Sequence, residues 1–473
     1  MIDFLLWYFC ISALGWLTFP LVFYLFPALS DRGYSLARVV GLLLWGYVFW
    51  LLASFGIAQN DSGGLILAGM ILVGISTLVM KNRVQELKTW IKDHLRVLMV
   101  VEGLFLLAFI ALAVLRAANP EILGTEKPME LAFINAILRS PNFPPRDPWL
   151  SGFSISYYYF GYVMAAMLAK ITGVCGSIAF NLMLALVFAL GASGAYGIIY
   201  NLMASIQKVK PGLNRKNLTV IPILGPLFLL IASNLDGFLE VIHRRGLFWK
   251  FSQGGAATSK FWTWLDIKDL NQAPSLPTAW LPDRYLWWWR ASRVVQDTTL
   301  QKVPQELIDE FPFFSYLLGD LHPHVLSVPF ILLAVSVGLN LFLGGWRGKT
   351  RFLGISINIQ LPGLIFPALV LGGLAFLNTW DILIALALVC GSFLLWRGSE
   401  QGWCWRRVEE VFGYALIVGI DSLLFYLPFF TKFSSQAGGI LPNIVNPTRG
   451  AHLWVMFGIL LIPILTYRVY LIH

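Results

Sequence analysis

Apolar runs long enough to cross a membrane recur about twelve times along the chain, and they constrain its fold more than any other feature. Crossing about 30 Å of hydrocarbon takes roughly 20 residues of helix. The runs fall at 3–26, 34–58, 64–80, 97–117, 154–172, 176–205, 217–238, 323–344, 355–377, 380–396, 408–430 and 452–471. None alternates like a barrel strand, and a helix satisfies its own backbone groups in lipid. The pattern predicts an all-α polytopic membrane protein with about twelve transmembrane helices. Composition points the same way. Of 473 residues, 58% are hydrophobic and 12% charged, about half the roughly 25% charged content of soluble domains. Nucleic-acid binding, a soluble nucleotide-dependent enzyme and a disordered scaffold are excluded as the main reading.

Two long polar segments interrupt the runs, 118–153 and 241–322. The second is rich in Trp and mixed in charge, which predicts short interfacial helices rather than a linker. The N-terminus, MIDFLLWYFC, lacks a basic flank and reads as a first span, not a cleaved signal. The net charge of +9 gathers in four loops, with Lys81, Arg83, Lys88, Lys92 and Arg96 in the first and Lys208, Lys210, Arg215 and Lys216 in the second. Arg347, Lys349 and Arg351 mark the third, and Arg397, Arg406 and Arg407 the fourth. Basic loops lie on the cytoplasmic side. That puts 118–153, 241–322, the 378–381 turn, 431–451 and the N-terminus outside. One conflict follows. Passing from outside at 153 to inside at 206 needs an odd number of crossings, whereas 154–205 reads as two spans; three short spans or one re-entrant segment would resolve it.

The expected outer face collects the polar residues that hydropathy does not explain. Glu126 and Glu130 stand four apart, on one side of a short helix. Arg139, Arg146 and Asp147 follow, before the chain returns to the membrane at Tyr157, Tyr158 and Tyr159. A carboxylate held there among cations suits general-base work; the plainer reading is a solvated loop with an interfacial aromatic belt. At 320–324, Asp320, His322 and His324 crowd the start of a span, with Pro323 suited to a first helical turn. A helix N-terminus suits phosphate or substrate binding. Asp and two His would also serve a divalent metal, and Asp320 as a simple helix cap is the plainer reading. Asn378, Thr379, Trp380 and Asp381 break two apolar runs, as a polar site or a tight hairpin cap. Trp287, Trp288, Trp289, Arg290 and Arg293 combine flat rings with cations, which suits sugar stacking or a lipid phosphate; the plainer reading is ordinary interfacial Trp. Glu102 and Asp421 fall inside spans, where carboxylates are costly and are functional candidates by default; the alternative is that either hydrogen-bonds a neighbouring helix. The four cysteines, Cys10, Cys175, Cys390 and Cys404, are scattered and give neither a metal site nor a disulfide framework. No phosphate-binding GxxxxGK[ST] loop and no GxSxG elbow occurs.

The segments TEKPME at 125–130, FPPRDPWLSG at 143–152, YYYFGY at 157–162, FPFFSYLLGDLHPH at 311–324 and NTWD at 378–381 resemble the "YYY" membrane proteins, a family named for a domain of unknown function. The resemblance runs from about residue 100 to the C-terminus. That family is grouped with the GT-C glycosyltransferases, which implies N-terminal transmembrane helices over 1–96 and a GT-C-like module over 97–473. It implies transfer of a sugar from a polyprenyl-phosphate donor to an acceptor hydroxyl at the outer face of a prokaryotic plasma membrane, with inversion. Glu126 then takes the place of the first-loop base, with Asp147 a second catalytic carboxylate. Asp320, His322, His324, Asp381, Tyr157 and Tyr158 would bind substrate, Asp320, His322 and His324 would hold a divalent metal if one is used, and Arg139, Arg146 or Arg293 would offset leaving-group charge. The implied partners are membrane lipid and a lipid-linked sugar, with no nucleic acid. Against the superfamily pattern, the first loop reads Thr125-Glu126-Lys127 rather than a pair of acids. The rival readings are a transporter or flippase of a lipid-linked sugar, and a non-catalytic assembly protein.

Overall fold

The computed structural model describes residues 1–209, 214–252, 257–274, 287–299, 301–352, 355–434 and 447–472. The chain divides into two compact units, one of residues 1–226 and 319–436 and the other of 227–318 and 437–473. Helix dominates both.

The first unit opens with α1 (Ile2–Leu25), α2 (Ala37–Ser54) and α3 (Ser62–Met80). Asp61 starts α3 by accepting the Gly64 N–H at 2.8 Å. The amphipathic α4 (Val84–Asp93) carries the first basic loop, and α5 (Leu95–Ala118) leads away from it. Then come α6 (Lys127–Arg139), α7 (Phe160–Thr172) and α8 (Gly176–Val209). After the second unit's first segment follow α9 (Pro323–Phe342), α10 (Pro362–Leu377), α11 (Ile382–Gln401) and α12 (Trp405–Phe425).

Long-range pairs define two ends of this bundle. At one end the basic segments meet carboxylates: Arg32 pairs with Glu86 at 3.3 Å, Arg347 with Glu400 at 2.6 Å, and Arg397 with Glu410 at 3.0 Å. The buried turn after α1 is fixed there, since Asn201 of α8 donates to Asp31 at 2.8 Å and Asn340 of α9 accepts the Ala28 N–H at 3.0 Å. A 20-residue helix such as α9 is about 30 Å long. Its start, at His322, therefore lies at the opposite end, with the C-terminus of α5, helix α6 and the turn into α11. Lys208 sits in the last turn of α8; Lys210 of the same basic loop lies outside the described residues, as do the side chains of Arg215 and Lys216.

Among the described residues, eight helices are long and apolar enough to cross a membrane, or nine if one bent pair counts as a span. The twelve expected runs differ from this count for local reasons. The run at 154–172 is helical only over 13 residues, and the run at 355–377 opens in a β-hairpin, leaving 16 residues of helix. The segment 217–238 bends by 73° between Asn217–Ile231 and Asp236–Arg244. Helix α12 is long enough but carries Glu409, Glu410 and Asp421.

The short α7 also resolves the crossing conflict. At its start, Phe160 stacks on Phe376 at the end of α10, with ring centroids 4.8 Å apart. Trp50, near the end of α2, lies 5.0 Å from the same Phe376 ring. At the other end of α7, Lys170 donates to the Asn60 carbonyl, just before the cap of α3. Both ends of α7 thus rest at one end of the bundle, and α8 alone makes the crossing.

Inside the first unit, Glu102 of α5 is closed off by Arg38 of α2 and by the Tyr34 hydroxyl. The Arg38 guanidinium also lies 4.1 Å over the Phe105 ring. Glu102 is thereby a neutralised structural pair.

The second unit has short helices at Lys260–Leu265, Trp287–Arg290 and Pro312–Leu318, as expected for 241–322, with hairpins Lys250–Phe251/Ala257–Thr258 and Gln296–Thr298/Pro304–Glu306. Its core joins Leu239, Trp262, Leu265, Ile267, Leu270 and Val294 to Val455 of α13 (Gly450–Ile472).

Candidate functional site

Two sequence motifs far apart in the chain meet at the start of α9. Lys127-Pro128 opens α6, with Glu126 as its N-cap residue and Glu130 one turn on. His322 is the N-cap residue of α9, and Pro323 occupies its first turn, where a missing N–H costs nothing. The His322 Nδ1 atom stands 2.8 Å from Glu126 Oε2 and 3.3 Å from Glu130 Oε1. Glu130 Oε2 accepts the Leu321 N–H at 2.9 Å. Thr125 donates its hydroxyl to Asp320 at 2.8 Å. A one-turn spacing on α6 thus aims two carboxylates at one imidazole.

The two carboxylates differ in environment. Glu126 is 55% exposed, whereas Glu130 has no exposed side-chain surface. Burial pushes the Glu130 carboxyl above its ordinary 4.5; the Asp320 charge adds to this and the His322 hydrogen bond opposes it. Lys127 is held below its ordinary value by burial, partly offset by Asp320. Burial also raises the Tyr157 hydroxyl, and Glu126 and Glu130 raise it further. Arg116 of α5 completes the cluster. Its Nε donates to Asn181 at 2.8 Å, and a methyl group on Gly319 (φ +79, left-handed backbone that glycine tolerates) would collide with its guanidinium.

The cluster continues along the start of α9. The His322 and His324 rings are 5.1 Å apart, and His324 is within electrostatic reach of Asp381. Asp381 accepts from Ser327 at 2.6 Å and Asn378 at 3.0 Å, so it closes its turn and faces the cluster at once. Tyr157 packs on Phe133 of α6, and Tyr158 lies between Tyr157 and Phe433.

Other candidates fall elsewhere. Asp147 closes its own turn, accepting the N–H groups of Trp149 and Leu150 at 2.8 Å each. Arg139 is exposed at the far end of α6, and Arg146 is exposed in the loop beyond it. Arg293 belongs to the second unit, where it pairs with Glu306 at 2.9 Å and lies 4.6 Å over the Trp289 ring. Arg290 there pairs with Asp269. The cations beside Asp320 are instead Arg116 and Lys127. Glu130, Lys127 and Arg116 are the members of the cluster that motif reading undervalued; the four-residue spacing from Glu126 was the available signal for Glu130. Among the described residues no group of three or more His, Cys, Asp or Glu side chains is placed to hold a metal ion.

Fold and site together define a polytopic helical membrane protein with a carboxylate–imidazole cluster at one end of its larger helical unit. Residues 44–473 match the family described as "Uncharacterized membrane protein (DUF2298)", and the chain belongs to it. No curated protein and no solved structure matches the chain.

Proposed function

We propose that the protein is a GT-C-like membrane glycosyltransferase of a prokaryotic plasma membrane. It would move a sugar from a polyprenyl-phosphate donor to an acceptor hydroxyl, with its site facing outside. The observation that carries this reading is the meeting of Glu126 and Glu130 with His322 at the end of the bundle opposite the basic loops. A transferase working on a lipid-borne donor needs its polar groups gathered at one membrane surface. A transporter needs them at mid-depth, and Glu102, the obvious candidate there, is committed to Arg38.

In this reading the Glu126–His322 pair accepts the acceptor's hydroxyl proton as its oxygen attacks the anomeric carbon. The bond to the phosphate oxygen breaks and its electron pair leaves with the polyprenyl phosphate, inverting the centre. Arg116 and Lys127 are the cations placed to offset that charge. An apolar groove of about 690 Å³ on the first unit, lined by Leu14, Trp45, Leu65, Met70 and Ile171 among others, has the chemistry for an isoprenoid chain.

The test is transfer of radiolabelled sugar from a panel of polyprenyl-phosphate sugars by the purified protein in lipid, with solubilised source membranes as acceptor. Glu126→Gln should lower transfer about 10²-fold or more, the range for loss of a general acid–base group. Full transfer by that variant would remove Glu126 from the mechanism, and no transfer from any donor would end the transferase reading.

A further inference from the structure

We propose that the loop from Arg146 to Ser154 is a membrane anchor. It inserts Trp149, Leu150 and Phe153 into the headgroup layer of the lipid surface at the cluster end of the bundle. This goes beyond the transferase reading and does not depend on it, and it holds whichever side of the membrane that end faces.

The tip of the loop is apolar where a water-facing turn would be polar. Trp149, Leu150 and Phe153 are 61%, 57% and 62% exposed. Large apolar side chains scattered singly over a surface are ordinary, whereas a contiguous group marks an interaction site. The group is braced from behind by α6, since the Trp149 ring meets Phe133 edge-on with centroids 5.7 Å apart.

The loop also satisfies much of its own backbone, as a chain among lipids must. One Asp147 oxygen accepts the N–H groups of Trp149 and Leu150 at 2.8 Å each. The Asp147 N–H donates to the Phe153 carbonyl at 2.9 Å, the Phe153 N–H to the Leu150 carbonyl at 3.2 Å, and the Ile155 N–H to the Pro145 carbonyl at 3.0 Å. Pro148 has no N–H to satisfy. Gly152, at φ +86, supplies the left-handed residue that closes the tip. Asp147 is thus the residue that folds the anchor.

The base of the loop sets its depth. Asn60, just before the cap of α3, donates its N–H to the Pro141 carbonyl at 2.9 Å. Its side-chain amide donates to the Ile137 and Ser140 carbonyls at 2.7 Å each. Phe143 meets Phe49 of α2 edge-on, with centroids 5.8 Å apart. Phe49 precedes the last residue of α2, Ser54, by about 8 Å of helix at 1.5 Å per residue. The base is therefore buckled onto the ends of two spans, not held off in water. Phe55 and Ile57, in the turn between those spans, are exposed and extend the apolar surface. Arg139 and Arg146 are exposed at the base, and cations beside interfacial aromatics suit lipid phosphates. Continuity with the span ends and this charge favour lipid over a protein partner.

The experiment is spin-label EPR of the full chain in nanodiscs of phosphatidylcholine and phosphatidylglycerol. Nitroxides are attached to Leu150→Cys or Phe153→Cys, in a background carrying Cys10→Ala, Cys175→Ser, Cys390→Ala and Cys404→Ser. Collisions with oxygen, which concentrates in lipid, are compared with collisions with a nickel chelate, which stays in water. Leu107→Cys, exposed midway along α5, is the lipid reference, and Asn82→Cys, exposed in the first basic loop, is the water reference. The expected result is that oxygen outweighs the chelate at both loop positions, the reverse of the order at Asn82→Cys. A chelate-dominated signal would leave the loop in water and overturn the proposal. Exclusion of both reagents would show a second copy or another part of the chain covering the tip, and overturns it equally. If the cysteine-free background does not fold, a benzophenone amino acid in place of Leu150 in the otherwise unaltered chain gives the same reading. Irradiation should then yield adducts of lipid mass, and adducts to protein alone, or none, would contradict insertion.

Discussion

Glu126 Oε2 and His322 Nδ1 lie 2.8 Å apart, although one residue begins an amphipathic surface helix and the other begins a membrane span. The contact ties the TEKPME segment to the GDLHPH segment. It leaves an exposed carboxylate and a buried carboxyl both within 3.3 Å of one imidazole nitrogen.

The buried carboxyl gives the site a pH signature. Glu130 titrates above its ordinary 4.5, chiefly through burial. The folded chain therefore keeps a proton that the unfolded chain releases. The stability this group contributes is full below pH 4.5 and is lost as pH rises through the folded-state value. The thermal midpoint of the wild type, measured against Glu130→Gln, should fall as pH rises above 4.5. Parallel curves would contradict the burial argument.

The pair inside the bundle is structural. Arg38→Met leaves the half-buried Glu102 without its cation and should destabilise the protein, by less than the roughly 3–5 kcal/mol that removing half of a fully buried pair costs. Adding Glu102→Gln should recover most of that loss in thermal unfolding. A double variant as unstable as the sum of the singles would mean that the two residues do not act as a pair.

Orientation can be read from two native thiols. Cys175 precedes α8 at the cluster end, Cys404 precedes α12 at the basic end, and both are exposed. In right-side-out vesicles a membrane-impermeant maleimide should label Cys175 directly and Cys404 only after permeabilisation. The reverse pattern would place the cluster inside.

Much of this architecture was legible in the sequence because hydropathy and positive charge act locally. The basic loops predicted which helix ends lie together, and so placed Glu126 and the Asp320–His324 segment on one face. Where tertiary packing decides, the sequence was a poorer guide. The run at 154–172 reads as a span, yet α7 lies across the end of the bundle, because Phe160 stacks on Phe376 while Lys170 reaches Asn60. Asp147 read as a second catalytic carboxylate, but its oxygen serves Trp149 and Leu150 next to it. The roles of Arg116 and Lys127 depend on helices meeting across the fold, which spacing along one strand of sequence does not encode.

The central claim is that Glu126 and His322 work as one unit, and a double-variant cycle on transfer rate tests it most directly. Residues that act as a unit are strongly non-additive. Glu126→Gln, His322→Gln and the double variant should therefore lose transfer to similar extents, with the double no worse than the poorer single by more than a few-fold. Losses that multiply in the double variant would show two independent residues and contradict the account.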